Sequence, residues 1–358
     1  MSNEKKIKKV IVVGAGPSGL VLAILLAKAG IEVIILDGAS DLDKNPRAAH
    51  YAPSAVRELK RAGVLEEIQK QGFVPDSVCW RNPDGTLIAG IRTDVTHPEA
   101  MVVLPLDRLV RLLYNHFLTL PGAEVKWNHK VVGIEHGEKE AKVKVESLEG
   151  EKAFAADYVY YDFHKFGYWD SNFIIDPKNW FMAARITTDG LWRVTYGDTW
   201  GLSTEEYLQR QPQRFEEMLP GKPKPGDYKL VSASPYKLHQ RCAESFRVGR
   251  FLLVADAAHL CNPFLYDCLM AMQNGFADDS ILDKYSEVRR KKWHDLVDPI
   301  SRANFRRIWD EDAIPERNEF FAMCKKMETN EEMRKQGQEF THLLNEDFTP
   351  YFSKPLTT

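Results

Sequence analysis

A Rossmann-like α/β domain with a parallel sheet, an antiparallel-sheet lobe and C-terminal helices is the architecture this sequence predicts, on three observations. First, the apolar run Lys9 to Val13 meets the glycine turn GAGPSGL at Gly14 to Leu20. An apolar-rich stretch then ends at Gly30, and a second apolar run covers Ile31 to Leu36. That order is strand, turn, helix, strand, a βαβ unit whose crossover is expected to be right-handed. Second, the text from Glu124 to Val159 and from Trp180 to Tyr196 is strand-like, the latter rich in aromatics. Third, the chain from Asp279 onward is mainly helical and charged, with aromatic positions at Tyr285, Trp293, Phe305 and Trp309.

The elements between these landmarks follow from periodicity and turn chemistry. Ser54 to Gln71 reads as a helix with apolar Val56, Leu59, Val64, Leu65 and Ile68, and Leu106 to Leu118 as another. Asn82-Pro83-Asp84-Gly85 is a turn between strand-like segments. Thr187-Thr188-Asp189-Gly190 marks a hairpin in which Gly190 supplies the positive φ. Phe251 to Val254 reads as another buried strand.

Composition sets wide bounds. The 358 residues are 44% hydrophobic and 28% charged, an ordinary globular balance. A net charge of -3 offers no general attraction to nucleic acid or to an anionic membrane. The one basic run, Arg289-Arg290-Lys291-Lys292, is expected to be a solvated helix face. Cys79, Cys242, Cys261, Cys268 and Cys324 form no CxxC pair and no Cys/His zinc spacing, so no metal site is expected. The N-terminus runs into the first strand without an apolar leader, and no stretch approaches a membrane span. A cytoplasmic location is the simplest expectation.

In GAGPSGL, Gly14 permits the tight turn, Gly16 lets the backbone approach a pyrophosphate, and Gly19 lets the helix pack closely on the strand. Pro17 and Ser18 open the helix, whose free N–H groups and positive dipole end suit a diphosphate. Asp37, at the end of the second strand, can accept ribose hydroxyls. These features predict a dinucleotide and leave FAD and NAD both open.

A second stretch, Gly249-Arg250-Phe251-Leu252-Leu253-Val254-Ala255-Asp256-Ala257-Ala258-His259 with Asn262-Pro263-Phe264 after it, resembles the second FAD fingerprint of the group A flavoprotein monooxygenases, the p-hydroxybenzoate hydroxylase-like family. The resemblance implies that Asp256 meets the ribityl chain and that Pro263 lies beside the isoalloxazine. Ala255 stands where the family usually has Gly. Two further features fit the pattern: Arg47 near the flavin entrance, and Arg108, which would reach the FAD. His259 is read as a structural or helix-entry residue.

The resemblance runs from about Val10 to Arg290. It divides the chain into FAD-binding residues 1–159 and 241–300, an antiparallel substrate lobe at 160–240 and a C-terminal helical segment at 301–358. It implies a monooxygenase that takes a hydride from NADH or NADPH as co-substrate. The flavin C4a-hydroperoxide would then deliver oxygen to an aromatic or polyketide-type small molecule. The protein's share is to position substrate, exclude water and tune charge at the flavin. Tyr161, Arg185 and Tyr196 are the substrate-binding candidates from the lobe, and His164 and Trp169 share its aromatic character.

Two departures stand out. Val159 is followed by Tyr160-Tyr161-Asp162-Phe163-His164, with no Asp-Gly motif, and Phe264 leads directly into Leu265-Tyr266-Asp267-Cys268, with no Gly-rich loop. Both fall where the family touches its flavin. If these segments are truly deleted, the expectation is weak FAD retention and little hydroxylation. The alternative reading is therefore a catalytically impaired FAD-binding protein with a non-catalytic role.

Overall fold

The computed structural model describes residues 7–46, 49–136, 141–146, 157–199, 202–233, 240–258, 265–339 and 342–353. β1 (Lys9–Val13), α1 (Pro17–Lys28) and β2 (Glu32–Leu36) form the expected βαβ unit, with β1 and β2 parallel from Lys9 opposite Glu32 to Val13 opposite Leu36. Lys9 and Glu32 also pair as ions across the strands at 2.7 Å. After β2 the chain enters a short ribbon strand, β3 (His50–Tyr51), and then α2 (Pro53–Ala62) and α3 (Leu65–Gln71). The single helix expected over Ser54 to Gln71 is two. Gly63 adopts φ 84°, and Val64 N–H donates to the Leu59 carbonyl at 3.1 Å, a left-handed close that ends α2.

β4 (Ser77–Arg81) and β5 (Leu87–Arg92) form a hairpin around the Asn82–Gly85 turn. β6 (Val102–Val103) pairs with β3, and α4 (Leu106–Leu118) follows with the expected limits. β7 (Glu124–Lys126) adds to β2, giving a three-stranded parallel sheet in the order β1-β2-β7. β8 (Lys130–His136) and β9 (Ala141–Glu146) make a separate hairpin.

β10 (Asp157–Tyr160), β11 (Ser171–Ile174), β12 (Phe181–Arg185), β13 (Leu191–Tyr196) and, beyond α5 (Thr204–Met218), β14 (Lys229–Ser232) join the β4–β5 hairpin. Together they form a seven-stranded sheet in the order β14-β10-β13-β12-β11-β4-β5. Only the β11–β4 pair is parallel. The lobe is therefore not one continuous segment, since β4, β5 and most of β10 precede residue 160. β10 pairs with β13 and β14 and has no place beside β1. Gly190 turns the β12–β13 hairpin at φ 94°, as its position in the turn requires.

The C-terminal part holds the short pair β15 (Arg247–Val248) and β16 (Phe251–Leu252), then α6 (Leu265–Gln273) and α7 (Ile281–Lys292). A π-helical turn at Trp293–Val297 leads into α8 (Asp298–Trp309), followed by α9 (Ile314–Thr329) and α10 (Glu331–Glu339). The buried strand expected at Phe251 to Val254 is only two residues long and partly exposed. The basic run is only partly a solvated face. Arg289 is fully buried and donates to the Leu344 carbonyl, and Lys292 holds the Leu343 and Asn345 carbonyls and the Glu346 carboxylate. Among the described residues no helix is long and apolar enough to cross a membrane.

The main core centres on α1. Leu20, Ala23, Ile24 and Leu26 are fully buried against Leu109, Val110, Leu113 and Phe117 of α4 and against Leu269, Ile281 and Tyr285 of α6 and α7. At about 1.5–3 kcal/mol for each fully buried Leu or Ile, this contact contributes several kcal/mol to the stability of the first domain. One face of the seven-stranded sheet, carrying Val159, Trp192, Val194 and Phe181, packs on Phe215 and Met218 of α5.

On that face Asp157 is fully buried and accepts hydrogen bonds from Tyr196 at 3.1 Å and Tyr207 at 3.0 Å, tying β10, β13 and α5 together. Replacing Asp157 with Ala would remove the shared acceptor of two largely buried hydroxyls. The expected loss is about 2–4 kcal/mol, read from the urea unfolding midpoint, with Asp157→Asn costing less because its amide oxygen still accepts. A midpoint unchanged in Asp157→Ala would show that these bonds do not hold the lobe together.

Candidate flavin site

The site begins at the glycine turn. Gly14 adopts φ 103° while its N–H donates to the Leu36 carbonyl at 2.8 Å, which folds the turn back over the end of β2. A Cβ on Gly19 would stand 2.1 Å from the Gly14 carbonyl oxygen, so only glycine lets α1 start there. Gly16 differs: its φ of −71° suits any residue, and a Cβ there would meet nothing within 4 Å. No protein contact explains this glycine, and the open space above it is what a diphosphate would fill.

Pro17 is the first residue of α1, where its missing N–H costs nothing. No side chain caps the helix, and Gly16 and Ser18 are exposed, so the first-turn amides face outward. Asp37 Oδ2 accepts from Ala15 N–H at 2.7 Å and Oδ1 from Ala39 N–H at 2.7 Å. A carboxylate has about four acceptor positions, so two remain for ribose hydroxyls. The residues present therefore fit the ADP half of FAD.

The far end of the cofactor rests on less. Arg47, Pro263 and His259 lie outside the described residues. Arg108 is exposed at the start of α4. Asp256 is exposed on a helical turn at Ala255–Ala257, and Ala258 beside it is buried in the α1 core. Ala255 is held at φ 50°, a left-handed conformation that costs an L-residue about 1–2 kcal/mol. Among the described residues β1 is an edge strand, and its Ile11 and Val13 are 39% and 57% exposed. Apolar runs like Lys9 to Val13 normally belong to strands covered on both faces.

Of the lobe candidates, Tyr196 and Tyr161 face α5, whereas Arg185 reaches the edge of the seam through the Phe73 ring, which pairs with Val103 of the β3–β6 ribbon. Tyr196 shares a face with Trp192 and Val194, stacks on Tyr207 and donates to Asp157. Tyr161 donates to the Pro220 carbonyl at 2.5 Å within the same α5-facing cluster. Arg185 donates to the Thr187 and Thr188 carbonyls, lies 3.5 Å from the Asp170 carboxylate and covers the Phe73 ring. His164 edges onto Trp192, and Trp169 stacks under Arg92.

The seam has its own residues. The β3–β6 ribbon turns Tyr51 and Val102 toward the α1 core, and Val103, with His50 opposite it in register, toward the seven-stranded sheet. There Ala49 and Val103 meet Tyr158, Ile186 and Leu191. His50 Nε2, Arg193 Nε and Thr195 Oγ1 are buried and have no hydrogen-bond partner among the described residues. Burial, with the nearby Arg193 charge, pushes His50 down to about 4, so the imidazole is neutral at physiological pH. Asp107 Oδ1 on α4 is likewise buried and unpartnered, and burial raises that carboxyl. Strict alternation marks Arg193 and Thr195 in the sequence as the polar positions between Trp192, Val194 and Tyr196. What the sequence does not show is that this polar row faces the first domain.

A family model described as an FAD binding domain matches residues 8–160. Para-nitrophenol 4-monooxygenase of Pseudomonas sp. (strain WBC-3) is 32% identical, with 86% of this chain and 88% of that protein covered. This chain belongs to the FAD-dependent aromatic-ring monooxygenases. 6-Hydroxy-3-succinoylpyridine 3-monooxygenase HspB of Pseudomonas putida (strain DSM 28022 / S16) is 31% identical over 84% of this chain and 89% of its own. The crystal structure of p-nitrophenol 4-monooxygenase PnpA from Pseudomonas putida DLL-E4 superposes with a TM-score of 0.85 at 30% identity, covering 95% of this chain and 98% of that one. The alignment with the WBC-3 enzyme is 356 positions long yet takes in 86% of this 358-residue chain, so that monooxygenase carries residues with no counterpart here.

For this monooxygenase the strain at Ala255 is directly testable. Ala255→Gly should raise stability by up to about 1 kcal/mol, the relief of the left-handed conformation offset by the unfolded-state freedom of glycine. Ala255→Val should lower it. A lower denaturation midpoint for Ala255→Gly would contradict the strained geometry.

Proposed function

We propose that this enzyme hydroxylates an aromatic or polyketide-type small molecule with molecular oxygen, using bound FAD and either NADH or NADPH as the electron donor. One observation carries the reading: an open, uncapped α1 N-terminus beside Asp37 lies in the same molecule as a seam of unpartnered polar groups between two sheets. The relatives at 30–32% identity that bear monooxygenase names add to it. When bound, FAD supplies hydride acceptance and oxygen activation, chemistry that belongs to the cofactor.

The protein's own residues bind and orient. Gly14, Gly16, Ser18 and Gly19 would hold the diphosphate on the first-turn amides, with Pro17 presetting the helix start, and Asp37 would take the ribose. Asp256 would meet the ribityl chain, with Arg108, Arg47 and Pro263 around the cofactor. Ala49, Val103, Tyr158, Ile186 and Leu191 make one side of the seam apolar and keep water from it. This reading sets the chemistry in the cytoplasm, where reduced nicotinamide is available.

The FAD-loaded protein, given NADH or NADPH, ¹⁸O₂ and a panel of phenols, should oxidise the nicotinamide faster with at least one phenol and place one ¹⁸O atom in its product. Nicotinamide oxidation that yields only hydrogen peroxide with every phenol, or a protein that retains no FAD, would overturn the proposal.

A further inference from the structure

Residues 240–247 run alongside α7 and the start of α8 and are fastened at both ends. Gln240 Nε2 donates to Ser301 Oγ at 2.8 Å, and the Phe246 N–H donates to the buried Ser286 Oγ at 2.9 Å. Along this contact lies a groove of about 400 Å³, formed by Ser245 on one side and Asp283, Glu287, Arg290, Lys291 and His294 on the other. Those five fall on one stripe of the helix and the turn after it. None of the residues assigned to the cofactor lines the groove.

Charge along the stripe is unevenly matched. Asp283 is paired with Arg247 at 3.0 Å, Glu287 with Lys284 at 2.6 Å, and Lys291 with Asp295. Arg290 has no ion pair among the described residues, and its Nε is buried without a hydrogen-bond partner among them. The Cys242 thiol beside it is a weak acceptor. His294, one turn on, is exposed and lies edge-on to Trp293 with 4.8 Å between ring centroids. A partly buried guanidinium without an anion is an arrangement that a ligand would repay, because its strongest contacts are charge-assisted bonds to carboxylate or phosphate.

We propose that Arg290 and His294 bind an oxyanion in this groove, a phosphate monoester or a carboxylate. The planar guanidinium presents adjacent donors from which two oxygens of such a group accept, and the His294 ring adds another. Asp283 and Glu287 keep their own cations and so repel the ligand little. The groove is of small-molecule size, a class that spans about 300–1,000 Å³, so the oxyanion is the end group of an organic molecule. The proposal is independent of the hydroxylase reading.

Calorimetric titration at constant ionic strength tests the site, with inorganic phosphate, methyl phosphate and acetate as probes. The FAD-loaded protein is used so that the α1 N-terminus is already filled, and saturating ADP takes that place if FAD is not retained. The wild type should bind at least one probe saturably, and its preference distinguishes phosphate from carboxylate. Arg290→Gln should weaken that probe about tenfold or more, the size of a lost charge-assisted hydrogen bond, and leave FAD or ADP affinity within about twofold. Arg290→Lys, which keeps the charge and loses the fork, should fall between. His294→Gln should show a smaller loss in the same direction, so an unfolded Arg290 variant would not end the test.

A wild type that binds no probe, or folded variants that all bind as the wild type does, would overturn the site. Equal weakening of the probe and of the nucleotide in Arg290→Gln would overturn it as well, since that result marks a structural role.

Discussion

Everything in the first domain depends on the close approach of α1 to the strand before it. The helix can begin at Pro17 only because Gly19 has no Cβ to strike the Gly14 carbonyl, 2.1 Å from where that carbon would be. The same turn is fastened from the other side by the Asp37 carboxylate on the Ala15 N–H at 2.7 Å. Those two contacts set the direction in which the uncapped amides of α1 point. They also bring Leu20, Ile24 and Leu26 down onto α4, and thereby position the ribbon that precedes α4 in the chain.

That ribbon is the mechanical link between the two sheets. Its alternation sends Val102 and Leu104 into the α1 core and Val103 into the cluster with Tyr158 and Leu191. One short pair of strands therefore carries the geometry of the glycine turn into the lobe, where Arg193 and Thr195 lie in the same face. Among the described residues the first sheet, by contrast, ends at β1, and the face of that strand carrying Ile11 and Val13 is exposed.

What could be read from the residues was whatever local chemistry decides. The βαβ unit, the limits of α4 and the Gly190 hairpin follow from glycine freedom and short-range periodicity, and the structure has all three. Properties set by tertiary contact could not be read. β10 looks like any apolar strand, and its membership of the seven-stranded sheet depends on long-range pairing with β13 and β14. Arg289 sits in a basic run that suggests solvent, yet it is buried by a C-terminal segment more than fifty residues away. Tyr196 and Arg193 are three residues apart on one strand and so face opposite sides. Choosing between those sides needs the packing of α5, which no local pattern reveals.

The central claim is that the protein holds its cofactor mainly by the ADP half, through the glycine turn, α1 and Asp37. Calorimetric titration of the FAD-free protein with FAD, ADP and FMN tests it most directly. The account predicts that ADP binds and competes with FAD for one site, retaining most of its binding free energy, while FMN binds far more weakly. FMN binding as tightly as FAD, with ADP failing to compete, would contradict it.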